Sequence, residues 1–177
     1  MHMLRMSVVS YFQCAESVLD HLAHGVGRLA EESRQRSPRF SINCLGVADG
    51  RNAENGTGDR GNIFMDFQQP DSNHPLPILH CDAVAMVEAL PGAELPPETG
   101  DFHPKINLME YADLPLTVMA DACEFAKGVA IDVGVPSVAR AWRLVLLRYH
   151  SEAADDDWSH GRWASDISWE NLSSYVL

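Results

Sequence analysis

The chain has 177 residues, 46% of them hydrophobic and 21% charged, which is typical of one globular domain with a sizeable core. Its net charge of −12 argues against binding a nucleic-acid backbone, because each phosphate contact needs a cation. No apolar run approaches the roughly 20 residues that span a bilayer, and the first residues lack a secretory signal, so we expect a cytoplasmic chain that does not enter membranes.

Residues 7–33 are predicted to form one long amphipathic helix. Ser7 supplies an N-cap, and Pro38 prevents the helix from continuing. Gly25 and Gly27 weaken its last turns by about 1 kcal/mol each relative to alanine. Apolar residues recur at steps of three and four and form one stripe: Val8, Tyr11, Ala15, Val18, Leu19, Leu22, Val26 and Leu29.

Two segments of alternating pattern follow this helix. Residues 39–47 and 62–68 place apolar side chains on one face each, which is typical of strands. Between them, residues 48–61 contain four glycines and no large apolar residue. The sequence therefore predicts a β-hairpin with a long polar tip, and a connection of that length is either functional or mobile.

The middle of the chain is less regular. Residues 78–90 alternate and are interpreted as a strand, with a helix over 82–90 as the alternative. Residues 91–104 carry four prolines and two glycines, which predicts an irregular surface connection. Residues 108–133 have apolar residues in helical register and are predicted to be mainly helical.

The C-terminal part is predicted to end in a hairpin. Residues 136–150 fit either a helix or a strand, and the acidic turn 152–157 with the aromatic tail 158–177 favours the strand. The whole predicts an α+β fold, in which a long N-terminal helix packs on a mainly antiparallel sheet of about five strands, with a second helical segment. We expect residues 1–177 to form a single domain.

The four cysteines stand far apart in the sequence, at Cys14, Cys44, Cys81 and Cys123. Structural zinc sites of the common type need pairs two to four residues apart, and this chain has none. We therefore predict four reduced thiols, most of them buried.

Ligand-type residues are densest near the third predicted strand. If residues 78–90 form a strand, His80 and Asp82 share one face and could be joined by His103 from the proline-rich connection. Two histidines and one carboxylate are a set that binds iron or zinc with open positions. A small metal-dependent enzyme is therefore one hypothesis, although such sets also arise by chance in a chain with eight histidines and 25 acids.

Nucleophile and nucleotide motifs are missing from the sequence, including Gly-x-Ser-x-Gly and the phosphate-binding glycine loops. We therefore expect a protein that works through contacts with a protein partner or a second copy, with no cofactor. The order helix, three strands with a long loop, helix, two strands resembles that of bacteriophage tail-terminator and virion-connector proteins. That resemblance implies a virion assembly role. The length and polarity of the loop 48–61 and the acidic turn 152–157 suggest the hypothesis that these two segments make the assembly contacts. The candidate contact residues are Asn52, Asn55, Asp59, Asp155, Asp156, Asp157 and Trp158.

The acidity of the chain suggests a second binding hypothesis. Residues 61–135 contain two lysines and twelve acids, a net charge of −10, whereas the seven arginines and seven acids of residues 1–60 cancel. An acidic surface of this kind suits an inhibitor or immunity protein that occludes a basic site on an effector.

Overall fold

The computed structural model describes residues 5–9, 11–50, 61–100, 102–111, 115–150 and 168–177. Their fold is α+β, as predicted. In chain order the elements are α1 (Leu19–Arg36), β1 (Ser41–Asp49), β2 (Gly61–Phe67), α2 (Pro75–Glu88), β3 (Lys105–Tyr111), α3 (Leu116–Asp132), β4 (Val138–Arg140), β5 (Arg143–His150) and β6 (Ser168–Val176). None of the helices in these ranges is long and apolar enough to cross a membrane.

The chain divides into two compact units. The first unit comprises residues 1–7, 41–69 and 103–139, and the second comprises residues 8–40, 70–102 and 140–177. The first unit contains the sheet ordered β3-β2-β1-β4, with α3 packed on β1 and β2. The second unit contains the β5–β6 hairpin, with α1 packed on both of its strands and on α2.

The predicted N-terminal hairpin of the first unit is confirmed. β1 and β2 pair antiparallel, with Val47 opposite Met65, and β3 continues the sheet antiparallel on the other side of β2. The core between this sheet and α3 is built on Ile63, Met119 and Cys123, which are almost fully buried. Of the predicted hairpin tip, residues 51–60 lie outside the described part of the chain.

The core of the second unit lies between α1, α2 and the C-terminal hairpin. Its buried members are Leu22, Val26, Val87, Leu90 and Leu146. β5 and β6 pair antiparallel from Arg143 opposite Val176 to His150 opposite Ser168, so the predicted closing hairpin is confirmed.

The prediction that the first helix starts near residue 7 is wrong. α1 begins at Leu19, after a short 3-10 turn at Glu16–Val18. Before it, Gln13 forms an isolated antiparallel bridge with Glu94, in which the two residues exchange backbone hydrogen bonds of 3.1 and 2.9 Å. The C-terminal end agrees better with the prediction, since α1 ends at Arg36, two residues before Pro38.

The strand predicted over 78–90 is also wrong, because α2 occupies that segment. The His74 side chain caps the helix by accepting a hydrogen bond from the Leu76 backbone N–H at 3.2 Å, and Pro75 occupies the first turn. Residues 78–90 are apolar at most positions. Their pattern therefore fits both the alternation of a strand and the spacing of a helix. The buried side chains follow the helical spacing: Leu76, Leu79, His80, Ala83 and Val87.

The remaining segments agree with the predictions in part. Residues 108–133 divide into the end of β3 and the helix α3. Residues 136–150 form strands, as favoured, although they are split between β4 and β5. Residues 91–104 contain only a 3-10 turn at Pro97–Gly100 and one isolated bridge residue among those described.

The two glycines of α1 have a packing role that the sequence did not indicate. A Cβ atom at position 25 would collide with the Met86 side chain on α2, and one at position 27 would lie 3.1 Å from the Tyr175 ring on β6. The Tyr175 hydroxyl also donates a hydrogen bond of 3.1 Å to the Ala23 carbonyl. Both glycines therefore allow neighbouring elements to approach α1 closely, which offsets their low helix propensity.

Candidate interaction surface

Helix α3 of the first unit has a well-defined end. Gly134 follows it with φ +66°, a conformation that favours glycine. The Gly134 N–H donates to the Ile131 carbonyl and the Val135 N–H to the Ala130 carbonyl, each at 3.0 Å. This pair of bonds is a Schellman motif, which satisfies the last carbonyls of the helix and turns the chain towards β4.

One side of α3 packs on the sheet. Met119 and Cys123 are buried against Ile63, and the small residues Ala122 and Ala126 lie at the edge of this contact. The 3-4 spacing of these residues is that of a single helix face, so the sheet accounts for the apolar residues on that side.

A second apolar row on α3 is exposed. Val118, Phe125 and Val129 are all solvent-exposed, with Phe125 at 75%, and the half-buried Ala122 lies between them. The four residues follow steps of four, three and four, and therefore lie along one narrow line of the helix surface. We call this line the α3 row.

The outer border of the α3 row is acidic and open. At 100° per residue, Asp121, Gly128 and Asp132 lie beside the row on its solvent side, and all three are exposed. A Cβ atom at Gly128 would meet no atom of the described residues within 4 Å. Packing against the described part of the chain therefore does not require this glycine, which lowers helix stability by about 1 kcal/mol relative to alanine.

A cleft of about 490 Å³ lies on the opposite side of α3. Leu45, the extra residue of a β-bulge in β1, is 64% exposed at this cleft, and Ile131 at the end of α3 is 79% exposed. The lining residues are Cys44, Leu45, Gly46, Val47, Met65, Lys127, Ala130, Ile131, Gly134, Val135, Pro136 and Ser137.

The cation at the cleft is already paired. Lys127 Nζ donates a hydrogen bond of 2.8 Å to Glu124 Oε1, and this bond is the main cause of a raised pKa of Lys127. The lysine is thus held in its charged form by its own helix. This leaves the cleft mainly apolar.

Exposed apolar side chains are concentrated in the first unit. Of the eleven large apolar side chains that are exposed among the described residues, eight belong to this unit, on α3, the turn after it, β1 and β4. In the second unit, the exposed Trp142 forms a smaller feature, with the Arg143 guanidinium 4.4 Å from its ring centroid. We therefore regard the surface of α3 as the main candidate site.

The three candidate metal ligands do not form a shared face. His80 is buried on α2, where its Nδ1 lies 2.6 Å from the Val8 carbonyl oxygen and its ring stacks on Phe102 with centroids 4.5 Å apart. Asp82 is two residues further along the helix, about 200° around it, and lies 3.5 Å from Arg36.

His103 belongs to the first unit, and its Nε2 lies 2.8 Å from Asp66 Oδ1. Within the described ranges, no group of three His, Cys, Asp or Glu side chains is arranged to hold a metal ion. His80 and Asp82 would share one face only in a strand, and this segment forms the helix α2.

The sequence predicts two contact segments, the loop 48–61 and the acidic turn 152–157. Their candidate residues lie outside the described part of the chain: Asn52, Asn55, Asp59, Asp155, Asp156, Asp157 and Trp158. These residues stay predictions. The α3 row was not recognised from the sequence, although a signal was present: apolar residues on α3 occur on more than one side, which is typical of a helix that contacts two partners.

None of the four cysteines forms a disulfide, but the prediction that most of them are buried is wrong. Only Cys123 is buried, Cys14 and Cys44 are half-buried, and Cys81 is exposed. Burial raises the pKa of the Cys14 thiol above its ordinary value, and the positive charge of Arg148 opposes part of this shift.

We expect iodoacetamide to modify Cys81 at least about tenfold faster than Cys14 or Cys123 at pH 8, because only the accessible thiolate reacts. The labelling rate of Cys14 should continue to rise at a higher pH than that of an ordinary thiol, since a raised pKa delays its ionisation. Peptide mass spectrometry over a time course measures each rate. Equal rates at Cys14 and Cys81 would contradict the described burial.

Comparisons of this chain with protein-family models, curated proteins and solved structures found no match.

Proposed function

We propose that this protein is a non-enzymatic interaction protein that binds another protein through the α3 row. The observation that carries the proposal is the exposure of Phe125 and its apolar neighbours on a helix whose other side already fills the core of its unit. Contiguous exposed apolar surface of this kind marks protein contact sites.

Phe125 is the main anchor of the proposed contact. Full burial of a phenylalanine side chain contributes about 1.5–3 kcal/mol, and most of this gain is still available at a residue that is 75% exposed. Val129 lies one turn of the helix from Phe125, and Val118 lies two turns away on the other side. Large apolar or aromatic residues at the centre of a patch, with smaller contacts around them, are the usual arrangement of an interface with a dominant anchor.

The particular form of this function that we propose is assembly, either in the cytoplasm or in a virion. The virion form rests on the order of secondary-structure elements and on no residue motif. The observed order has α2 where the third strand was expected, so we use the resemblance only as a choice of system to test. We do not carry the metal-dependent enzyme forward, because His80 and Asp82 lie on different sides of α2.

Photo-crosslinking tests the proposed contact directly. A photoreactive phenylalanine analogue at position 125 should form a covalent adduct with a second polypeptide in the cells that produce the protein. The same analogue at the exposed Gln35 of α1 should give no adduct of that size. Phe125→Asp should weaken the captured interaction by about 30-fold or more, since it removes an apolar anchor and places a charge in the contact.

The matched control is Ile131→Asp, which introduces the same charge at an exposed apolar residue on the opposite side of α3. Both variants should fold, because both side chains are largely exposed and such substitutions usually change stability little. No adduct at position 125, together with a monomeric wild-type protein, would show that the α3 row is not an interaction site.

A further inference from the structure

We infer that the partner of the α3 row is an amphipathic helix with basic residues beside its apolar row, and that it is not a second copy of this chain. This inference rests on the proposed function. It adds the shape of the partner, which follows from the spacing of the row, and the charge of the partner, which follows from the charges beside the row.

The shape of the α3 row fits a helix. Steps of four, three and four produce a straight, narrow apolar line on a convex surface, which is the geometry by which two helices pack side by side. Ala122 is small and Gly128 has no side chain, so shallow depressions lie next to Phe125. A partner helix can place large side chains in these depressions while Phe125 enters a hole on its own surface.

The charges beside the row fit a basic partner. Asp121 and Asp132 are exposed on the solvent-side border. The only cation in the sequence of α3 is Lys127, which lies on the cleft side and is bonded to Glu124. Lysine or arginine residues beside the apolar row of a partner helix would therefore meet carboxylates, and their long apolar stems would also cover Phe125.

A second copy of this chain would bring acidic residues to the border of the α3 row, where the proposed partner brings basic ones. It would bring its own Asp121 and Asp132 to the same narrow border, and each copy carries a net charge of −12. Like charges that are brought together at an interface oppose association and select against that pairing. The α3 row therefore favours a basic helix over self-association.

Two synthetic helical peptides test this inference. Both carry the same leucine row, and one has lysine and arginine at the flanking positions where the other has glutamate. Fluorescence anisotropy with the purified, untagged, full-length protein should show binding of the basic peptide and at least about tenfold weaker binding of the acidic one. Raising the salt concentration from 50 to about 500 mM should weaken binding of the basic peptide, because the paired charges at this border are exposed.

Variants assign the binding to the row. Phe125→Asp should abolish binding of the basic peptide, and Asp121→Asn with Asp132→Asn should weaken it about fivefold or more. The control that removes the same charge elsewhere is Asp20→Asn with Glu32→Gln, at exposed positions of α1. Equal loss from both charge pairs, or binding that survives Phe125→Asp, would overturn the inference.

Light scattering separates failure of the inference from failure of the proposed function. We expect a monomer of 19.6 kDa in the absence of peptide. A dimer that Phe125→Asp converts to monomer would overturn the basic partner and would still support the α3 row as an interaction site. Preference for the acidic peptide would likewise overturn only the inference, whereas no peptide binding, no dimer and no crosslink would remove both.

Discussion

Ile63→Ala is expected to lower the free energy of unfolding of the first unit by about 2–5 kcal/mol. Ile63 lies in the middle of β2, is 1% exposed and packs with Met119 and Cys123 of α3. The substitution removes three carbon atoms from a closely packed site and leaves a cavity that sheet and helix can fill only in part. Urea unfolding followed by far-UV circular dichroism measures the change.

The control for this substitution is Leu45→Ala on the neighbouring strand, which should change stability by less than about 1 kcal/mol because Leu45 is 64% exposed. Trp142 and Trp169 lie in the described part of the second unit, so tryptophan fluorescence includes a signal from that unit. If Ile63→Ala moves the fluorescence transition as far as the circular dichroism transition, the chain unfolds as the single domain that its length predicts. A cost as small as that of Leu45→Ala would contradict the described core.

Leu79→Ala is expected to lower the free energy of unfolding by a similar amount, about 2–5 kcal/mol, in the second unit. Leu79 is 2% exposed on α2. It lies on the helix face of Leu76, Ala83 and Val87, so its removal leaves a cavity among buried side chains. Tryptophan fluorescence during urea unfolding measures the loss in the unit concerned.

The matched substitution is Cys81→Ala, only two residues away, and we expect a change within about 0.5 kcal/mol because Cys81 is exposed. In a strand, residues 79 and 81 would share one face, and both substitutions would have comparable environments. In α2 they lie about 200° apart around the helix. Similar costs for the two variants would therefore contradict the helix, whereas a large difference is the result expected from it.

The functional proposal depends on which apolar residues the fold leaves uncovered. Met119 and Phe125 are both large and apolar, and both lie on α3, yet the sheet of the first unit buries the former and leaves the latter exposed. At 75% exposure, most of the Phe125 side chain is left uncovered by the described residues of its unit. This contrast directs the binding experiments to the α3 row first.

Local signals predicted several elements correctly. The alternation of residues 39–47 and 62–68 around a glycine-rich segment was enough to identify the β1–β2 hairpin. Pro38 marked the end of α1 to within two residues. The aromatic C-terminal tail indicated the strand that closes on β5. In each case the residues that gave the prediction lie within the element or only a few positions from it.

Other features depend on residues distant in the chain. Gln13, before α1, pairs with Glu94 in an isolated bridge, and the glycines of α1 are explained by Met86 and Tyr175. The mostly apolar pattern of 78–90 fits both the strand period and the helix period, and this ambiguity led to the wrong prediction of a strand. Because the segment is helical, His80 and Asp82 of the candidate metal set do not share a face. His74 and Pro75, just before it, were the residues that indicated a helix start.

By itself, the sequence determined the α+β class, the two hairpins and the net charge of −12, since composition and short-range periodicity are sufficient for these. Only the tertiary structure decided the start of α1 and the exposure of the α3 row. Those features depend on contacts between residues that are distant in the sequence, and these contacts decide which side chains are buried. An apolar residue in a sequence shows that it can be buried, but the fold decides whether its own chain buries it or leaves it available to a partner.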